Sequence, residues 1–307
     1  MRRKVKDYVL ISLKGMAMGA ADVVPGVSGG TIAFISGIYE ELLGSLSNIN
    51  VKLFTTLKNE GFKAAWKQLN GNFLLALFIG IFISIISLAK AIKYLLENEP
   101  ILLWSFFFGL VLASIIYIAK QISKWNFIAI LILVLGAFLA YYITTLNPLV
   151  TENSSMLYMF FAGALAICAM ILPGISGAFI LVLLGAYKPI LSAVNDRDIK
   201  TIAVVGLGAI VGLLSFSKIL KWLFANYKNY TLAILTGFII GSLNKIWPWK
   251  ETLSWRTNSE GLKVAFKQQS ISPFHFDGDA QLAMAIFLAI VGFGLILLME
   301  KIAGYRK

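Results

Sequence analysis

Two short segments carry the residue types that could do chemistry: Pro25-Gly26-Val27-Ser28-Gly29-Gly30-Thr31 and, about half the chain later, Pro173-Gly174-Ile175-Ser176-Gly177. A Pro-Gly step ends one helix. The residues behind it begin another, whose first amides have no intrahelical partner and carry partial positive charge. Such an end favours anions. Glycine lets an oxygen approach the backbone closely, and Ser28, Thr31 and Ser176 add hydroxyl groups. The chemistry on offer is oxyanion recognition. Both segments interrupt apolar sequence, so their freed backbone groups must be buried in protein or line a polar cavity. Duplicated breaks of this kind mark the binding site of a transporter.

The charged residues near these breaks are few. Asp22 lies three residues before Pro25, and its counterpart in the second copy is the apolar Met170. An acid at that depth is costly unless it is paired or at work. Asp22 is therefore the candidate for proton coupling, with a salt bridge to Lys14 as the structural alternative. Lys90 and Lys218 occupy matching positions in later apolar runs and could give full charges to a bound phosphate. The alternative is that both snorkel to the membrane surface. Glu40 and Glu41 fall near the mouth of the first interrupted segment and read as interfacial.

The elements that must hold these residues are membrane helices. Of 307 residues, 59% are hydrophobic and 14% charged, too few polar groups to cover a water-soluble surface. Mean hydropathy is +0.82. Six apolar runs, about 72–95, 101–120, 126–146, 201–223, 230–247 and 281–300, meet the roughly 20 residues needed to span a bilayer core. The interrupted segments, about 8–46 and 156–194, have arms of some 15 residues that reach only about 22 Å. They read as re-entrant helical hairpins.

Aligning the two copies pairs Gly15 with Gly163, Gly37 with Gly185, Gly80 with Gly208, Lys90 with Lys218 and Gly109 with Gly237. The fold expected is an all-α integral membrane protein forming one domain over 1–307. It has two inverted-topology repeats, about 8–146 and 156–300, each a hairpin plus three spans. An odd number of crossings per repeat inverts the second one. Lys52, Lys58, Lys63 and Lys67 then share a face with the basic N-terminus and with Lys301, Arg306 and Lys307, which makes that face cytoplasmic by the positive-inside rule. Both termini are expected there. The 248–280 stretch becomes an external loop, despite Lys250, Arg256, Lys263 and Lys267.

Other classes fall away. The net charge of +12 is spread over the ends of apolar runs, as lipid-headgroup anchors would be, and does not indicate nucleic acid. A single cysteine, Cys168, and a single histidine, His275, exclude a disulfide framework and a Cys/His metal cluster. No cofactor is called for. The apolar run at the N-terminus contains Asp22 and a Pro-Gly break, unlike a cleaved signal peptide.

The run Gly15-Met16-Ala17-Met18-Gly19-Ala20-Ala21-Asp22-Val23-Val24-Pro25-Gly26-Val27-Ser28-Gly29-Gly30-Thr31, with Pro173-Gly174-Ile175-Ser176-Gly177, resembles the bacterial PopT family of polyprenyl-phosphate transporters. The resemblance covers essentially the whole chain. It implies a carrier, not an enzyme, that returns undecaprenyl phosphate across the bacterial cytoplasmic membrane. Its partners would be that lipid and the surrounding membrane lipids, and a homodimer is left open. Undecaprenyl-diphosphate phosphatases share the hairpin pattern, but their loop resembles Pro-Gly-x-Ser-Arg-Ser. Gly29 and Gly30 stand here at the Arg-Ser positions, and without a guanidinium the charge developing on a transferring phosphoryl group is not neutralised. A small-anion transporter is the third reading, since an anion site alone does not specify the substrate.

Single cysteines placed in a Cys168→Ala background test the topology. A cysteine at position 58 should label only from the cytoplasmic side and one at 275 only from outside; labelling of position 58 from outside would make the first hairpin a full span and remove the inversion.

Overall fold

The computed structural model describes residues 3–23, 28–146, 155–257 and 263–304. The first half contains α1 (Val5–Val23), α2 (Gly29–Ile35), α3 (Tyr39–Ser47), α4 (Val51–Glu60), α5 (Phe62–Leu69), α6 (Gly71–Asn98), α7 (Pro100–Ala119) and α8 (Phe127–Thr145). The second contains α9 (Met156–Ile171), α10 (Gly177–Leu183), α11 (Tyr187–Asn195), α12 (Ile199–Asn226), α13 (Lys228–Ser242) and α14 (Leu282–Gly304). Between α13 and α14 lie a 3-10 turn at Leu243–Ile246 and an antiparallel ribbon of β1 (Lys250–Thr257) and β2 (Lys263–Ser270).

Four helical stretches, Gly71–Leu88, Pro100–Ala119, Phe127–Thr145 and Ile199–Asn226, are long and apolar enough to cross a membrane. Their outward faces are apolar too: on α8, Phe127, Val134, Leu135 and Phe138 are all more than half exposed. A helix that is hydrophobic all round belongs in lipid. This is a multi-pass membrane protein. Local signals start the helices where expected: Asn126 and Ser155 cap α8 and α9, Asp198 caps α12, and Pro100 occupies the first turn of α7.

Three segments depart from the linear reading. The returning arm of each interrupted segment is a seven-residue helix followed by a nine-residue one. Gly37 and Gly185, at φ +72° and +68°, make the turn between them, a left-handed conformation that glycine adopts without steric cost. The apolar run at 230–247 is α-helical only to Ser242, and its last turn tightens to 3-10. The basic stretch after α3 folds into α4 and α5, which expose Val51, Phe54 and Phe62 as interfacial amphipathic helices do.

The order of elements recurs between halves. The long α6 and α12 have 28 residues each. α1 packs along α6, and α9 packs along α12. The glycines paired by alignment sit at these seams: a Cβ on Gly15 or Gly80 would strike the Leu77 or Ser12 carbonyl, and one on Gly163 or Gly208 the Val205 or Phe160 carbonyl. Close backbone approach over small residues is the way membrane helices associate. The remaining helices pack across the halves, α8 on α13 and α14 on α7, with Gly237 against Leu133 and Gly109 against Ala289.

Gly80→Ala and Gly208→Ala should each cost about 1–3 kcal/mol through overpacking. Gly206, with nothing near its would-be Cβ, should accept Ala with a neutral or slightly raised melting temperature. Thermal unfolding of the detergent-purified variants checks this, and equal melting for all three would place the seams elsewhere.

Candidate site where the two Pro-Gly breaks meet

Pro25, Gly26 and Val27 lie outside the described residues. From Ser28 onward the first break is well defined. Ser28 is extended (φ −118°, ψ 131°) and caps α2, its Oγ accepting from the Gly30 N–H at 3.1 Å. Asp22 Oδ1 accepts from the Gly29 N–H at 2.7 Å. The anion at this helix end is thus the protein's own carboxylate. Among the described residues no lysine pairs with Asp22, and Lys14 donates instead to the Ser36 carbonyl at 2.6 Å.

The second break is in contact with the first. Thr31 Oγ1 accepts from the Gly174 N–H at 2.9 Å. The Ser28 hydroxyl donates to the Met170 carbonyl at 3.3 Å, with the Leu172 carbonyl at 3.4 Å, and Tyr39 Oη donates to the Ile171 carbonyl at 3.1 Å. Gly30 is needed for this approach, because a Cβ there would lie 2.6 Å from the Ile171 oxygen. Gly174 takes φ +84° at the turn. Ser176 caps α10 with a long bond, 3.5 Å from the Phe179 N–H.

The two breaks differ in access. Ser28, Gly29, Gly30 and Thr31 are buried, whereas Met170 and Ala178 at the second break are exposed. Where Asp22 covers the first helix end, no acid among the described residues covers the second.

The structure therefore brings Asp22, Ser28, Gly29, Gly30, Thr31 and Tyr39 of the first segment together with Met170, Ile171, Leu172 and Gly174 of the second. Pro173, Ile175, Ser176 and Gly177 belong to that second segment and make no hydrogen bond to the first among the described residues. It does not add Lys218, which is exposed and makes no hydrogen bond or ion pair among the described residues. The Lys90 side chain lies outside the described residues. Glu40 and Glu41 pair with Lys228 at 2.8 Å and Arg3 at 2.6 Å. Sequence reasoning missed the roles of Tyr39 and Thr31 as partners of the opposite break, and it missed two lysines: Lys245, whose Nζ lies 4.6 Å from the Phe179 ring centroid, and Lys250 beside it. Their position directly after an apolar run, beside Trp247 and Trp249, was the available signal.

Along α1 and α6 runs an open groove of about 520 Å³ lined by Val5, Val9, Leu13, Leu75, Ile79 and Ile83. It is mostly apolar, with Tyr8, Ser12 and Asn72 also on its wall, and lies along the N-terminal half of α1, the helix whose far end carries Asp22.

A family model described as VCA0040-like, undecaprenyl phosphate translocase-like, matches residues 18–264. The chain belongs to this family. The undecaprenyl phosphate translocase-like assignment agrees with two relatives named polyprenyl-phosphate transporter. One, from Vibrio cholerae serotype O1, is 49% identical over 307 residues and covers 99% of each chain. The other, from Staphylococcus aureus, is 32% identical over 253 residues, covering 77% of this chain and 85% of its own. No solved structure matches. The resemblance read from the Gly15-to-Thr31 run and Pro173–Gly177 is thereby borne out.

Thr31→Val should leave the Gly174 N–H without its acceptor, at a cost of about 1–3 kcal/mol, while Thr31→Ser keeps the bond. Melting temperatures of the two variants should differ in that order. Equal melting would mean the bond between the breaks does not hold the halves together.

Proposed function

We propose that this protein moves undecaprenyl phosphate between the leaflets of the bacterial cytoplasmic membrane for reuse of the carrier lipid, acting as a transporter and not as an enzyme. The observation that carries the reading is the meeting of two Pro-Gly breaks from opposite halves, joined by hydrogen bonds from Thr31, Ser28 and Tyr39. In the proposed topology each interrupted segment is re-entrant, the repeats are inverted, both termini are cytoplasmic, and the breaks approach each other from the two sides of the membrane. A seven-residue α2 rises only about 10 Å, so the returning arm turns at Gly37 well short of a full crossing.

The phosphate would be held by the Pro25–Thr31 and Pro173–Gly177 segments, with the prenyl chain lying in the apolar groove. Asp22 gives the mechanism its switch. Its carboxylate holds the Gly29 amide, the position an oxyanion of the substrate would take at that helix end. Protonation of Asp22 weakens its claim on that amide and removes a negative neighbour, so the phosphate can bind; loss of the proton restores the internal cap and expels the substrate. A phosphate monoester carries about −1.5 to −2 charge at neutral pH, so removing the carboxylate charge at the moment of binding lowers a large repulsion. The few hydrogen bonds between the breaks are the contacts that must exchange for access to alternate between sides.

Asp22→Asn keeps an oxygen for the Gly29 amide but cannot titrate. In proteoliposomes the variant should bind polyprenyl phosphate at least as tightly as the parent, yet show no stimulation of transport by an imposed pH gradient. A gradient response equal to the parent's would reduce Asp22 to a helix cap.

A further inference from the structure

Two basic residues beside the second break have no acidic partner among the described residues. Lys245 lies in the 3-10 turn that ends α13, and Lys250 opens β1. Lys250 Nζ donates to the Lys245 carbonyl at 2.7 Å and sits 4.0 Å from the Trp104 ring centroid on α7. Lys245 Nζ sits over Phe179 of α10 at 4.6 Å and makes no hydrogen bond among the described residues. Both side chains are half-buried. No carboxylate lies within ion-pair reach of either among the described residues, although the rest of the protein pairs Glu40 with Lys228 and Glu41 with Arg3.

Two neighbouring ammonium groups partly removed from water and left without an anion are costly. The fold nevertheless holds them there. Trp247 Nε1 donates to the Ile271 carbonyl at 2.8 Å, Trp249 Nε1 to the Ala280 carbonyl at 2.9 Å, and Ser270 Oγ to Asn244 Oδ1 at 2.8 Å. These bonds clamp the ribbon and the chain after it onto the turn that carries Lys245. The aromatic faces of Trp104 and Phe179 stabilise the cations without consuming their N–H donors. Burial, reinforced by the charge of Lys245, pushes Lys250 down to about 7, so a neighbouring negative charge has much to offset.

The location ties this pair to the second break. A Cβ on Gly174 would lie 2.8 Å from Ser242 Oγ, so the break rests on the end of α13, one turn before Lys245. Phe179, under Lys245, is two residues past Gly177, and beside this break Met170 and Ala178 are exposed while Pro173, Ile175 and Gly177 are buried. We infer that Lys245 and Lys250, framed by Trp104 and Phe179, form an oxyanion-receiving site that captures the phosphate monoester of the substrate beside the second break. This rests on the transport reading above and deepens it: the charge that the exposed Lys218 does not bring to the breaks comes from a pair next to the ribbon. The same chemistry would fit a free phosphate ion, and the lipid headgroup is distinguished from it below.

The test uses the full-length protein in lipid nanodiscs, with farnesyl phosphate, farnesol and inorganic phosphate as probes and binding followed by tryptophan fluorescence and thermophoresis. Lys245→Gln and Lys250→Gln should each weaken farnesyl phosphate about tenfold, as expected for loss of one charge-assisted contact, and the double variant about a hundredfold. Lys250→Arg should stay close to the parent, and farnesol binding should be unaffected in all of them. Inorganic phosphate binding much more weakly than farnesyl phosphate, but lost in the same variants, assigns the site to the lipid headgroup; equal affinities assign it to the free ion. A double variant that melts like the parent and binds both anions undiminished overturns the site, as does a parent that binds neither. A parent that binds farnesyl phosphate through these lysines yet moves no polyprenyl phosphate between leaflets overturns the transport reading and leaves the site standing.

Discussion

A helix broken in an apolar medium leaves amides and carbonyls that water cannot reach, and the structure depends on how that debt is met. Each half of this chain contains such a break, and the broken backbone of the second is satisfied largely by side chains of the first. The Gly174 amide goes to Thr31, the Met170 carbonyl to Ser28 and the Ile171 carbonyl to Tyr39. The second break is not complete without the first half of the molecule, whereas the amides of the first are met by Asp22 and Ser28 of its own half. A few side-chain hydrogen bonds, each modest in net worth but expensive to leave unmade, therefore hold the centre together and are also the contacts easiest to exchange.

Around that centre the packing is close and repetitive. Glycines bring α1 against α6 and α9 against α12, while α8 with α13 and α14 with α7 stitch the halves to each other. In lipid there is little hydrophobic drive for helices to associate, so backbone proximity and dispersion have to supply it. The rigid paired helices leave the short α2 and α10, seven residues each, as the elements with least internal support. Helices that short are marginal alone, which suits parts that must rearrange around a substrate.

The two breaks are alike in backbone and unlike in charge. Asp22 covers the amide end of α2, while the matching position before α10 is the apolar Met170. Conversely, among the described residues Lys245 and Lys250 stand near the second break with no acid paired to them, and the ribbon that positions them has no counterpart in the first half. A carrier built from two copies of one unit has two equivalent ends unless something breaks the equivalence, and these charges do so at the place where a phosphate would sit.

Much of this was written in the linear chain. Apolar run length placed the boundaries of α6, α7, α8 and α12 within a few residues, because a bilayer imposes one length scale on all of them. The pairing of Gly15 with Gly163 and of Gly80 with Gly208 was legible in the sequence, and the Gly15-to-Thr31 run with Pro173–Gly177 carried the family. Other features had no local signal. Whether Lys218 faces a substrate or the membrane surface depends on which side of α12 is covered, and the tertiary structure leaves it exposed. That Thr31 serves Gly174, 143 residues away, follows only from how two breaks pack, since a hydroxyl on an apolar helix has several acceptors within its own turn. The pairing of Lys245 with Phe179 and of Lys250 with Trp104 joins α7, α10, the turn after α13 and β1. Periodicity reports which face of an element is apolar, but not which distant element covers it, and it was the covering that set the chemistry here.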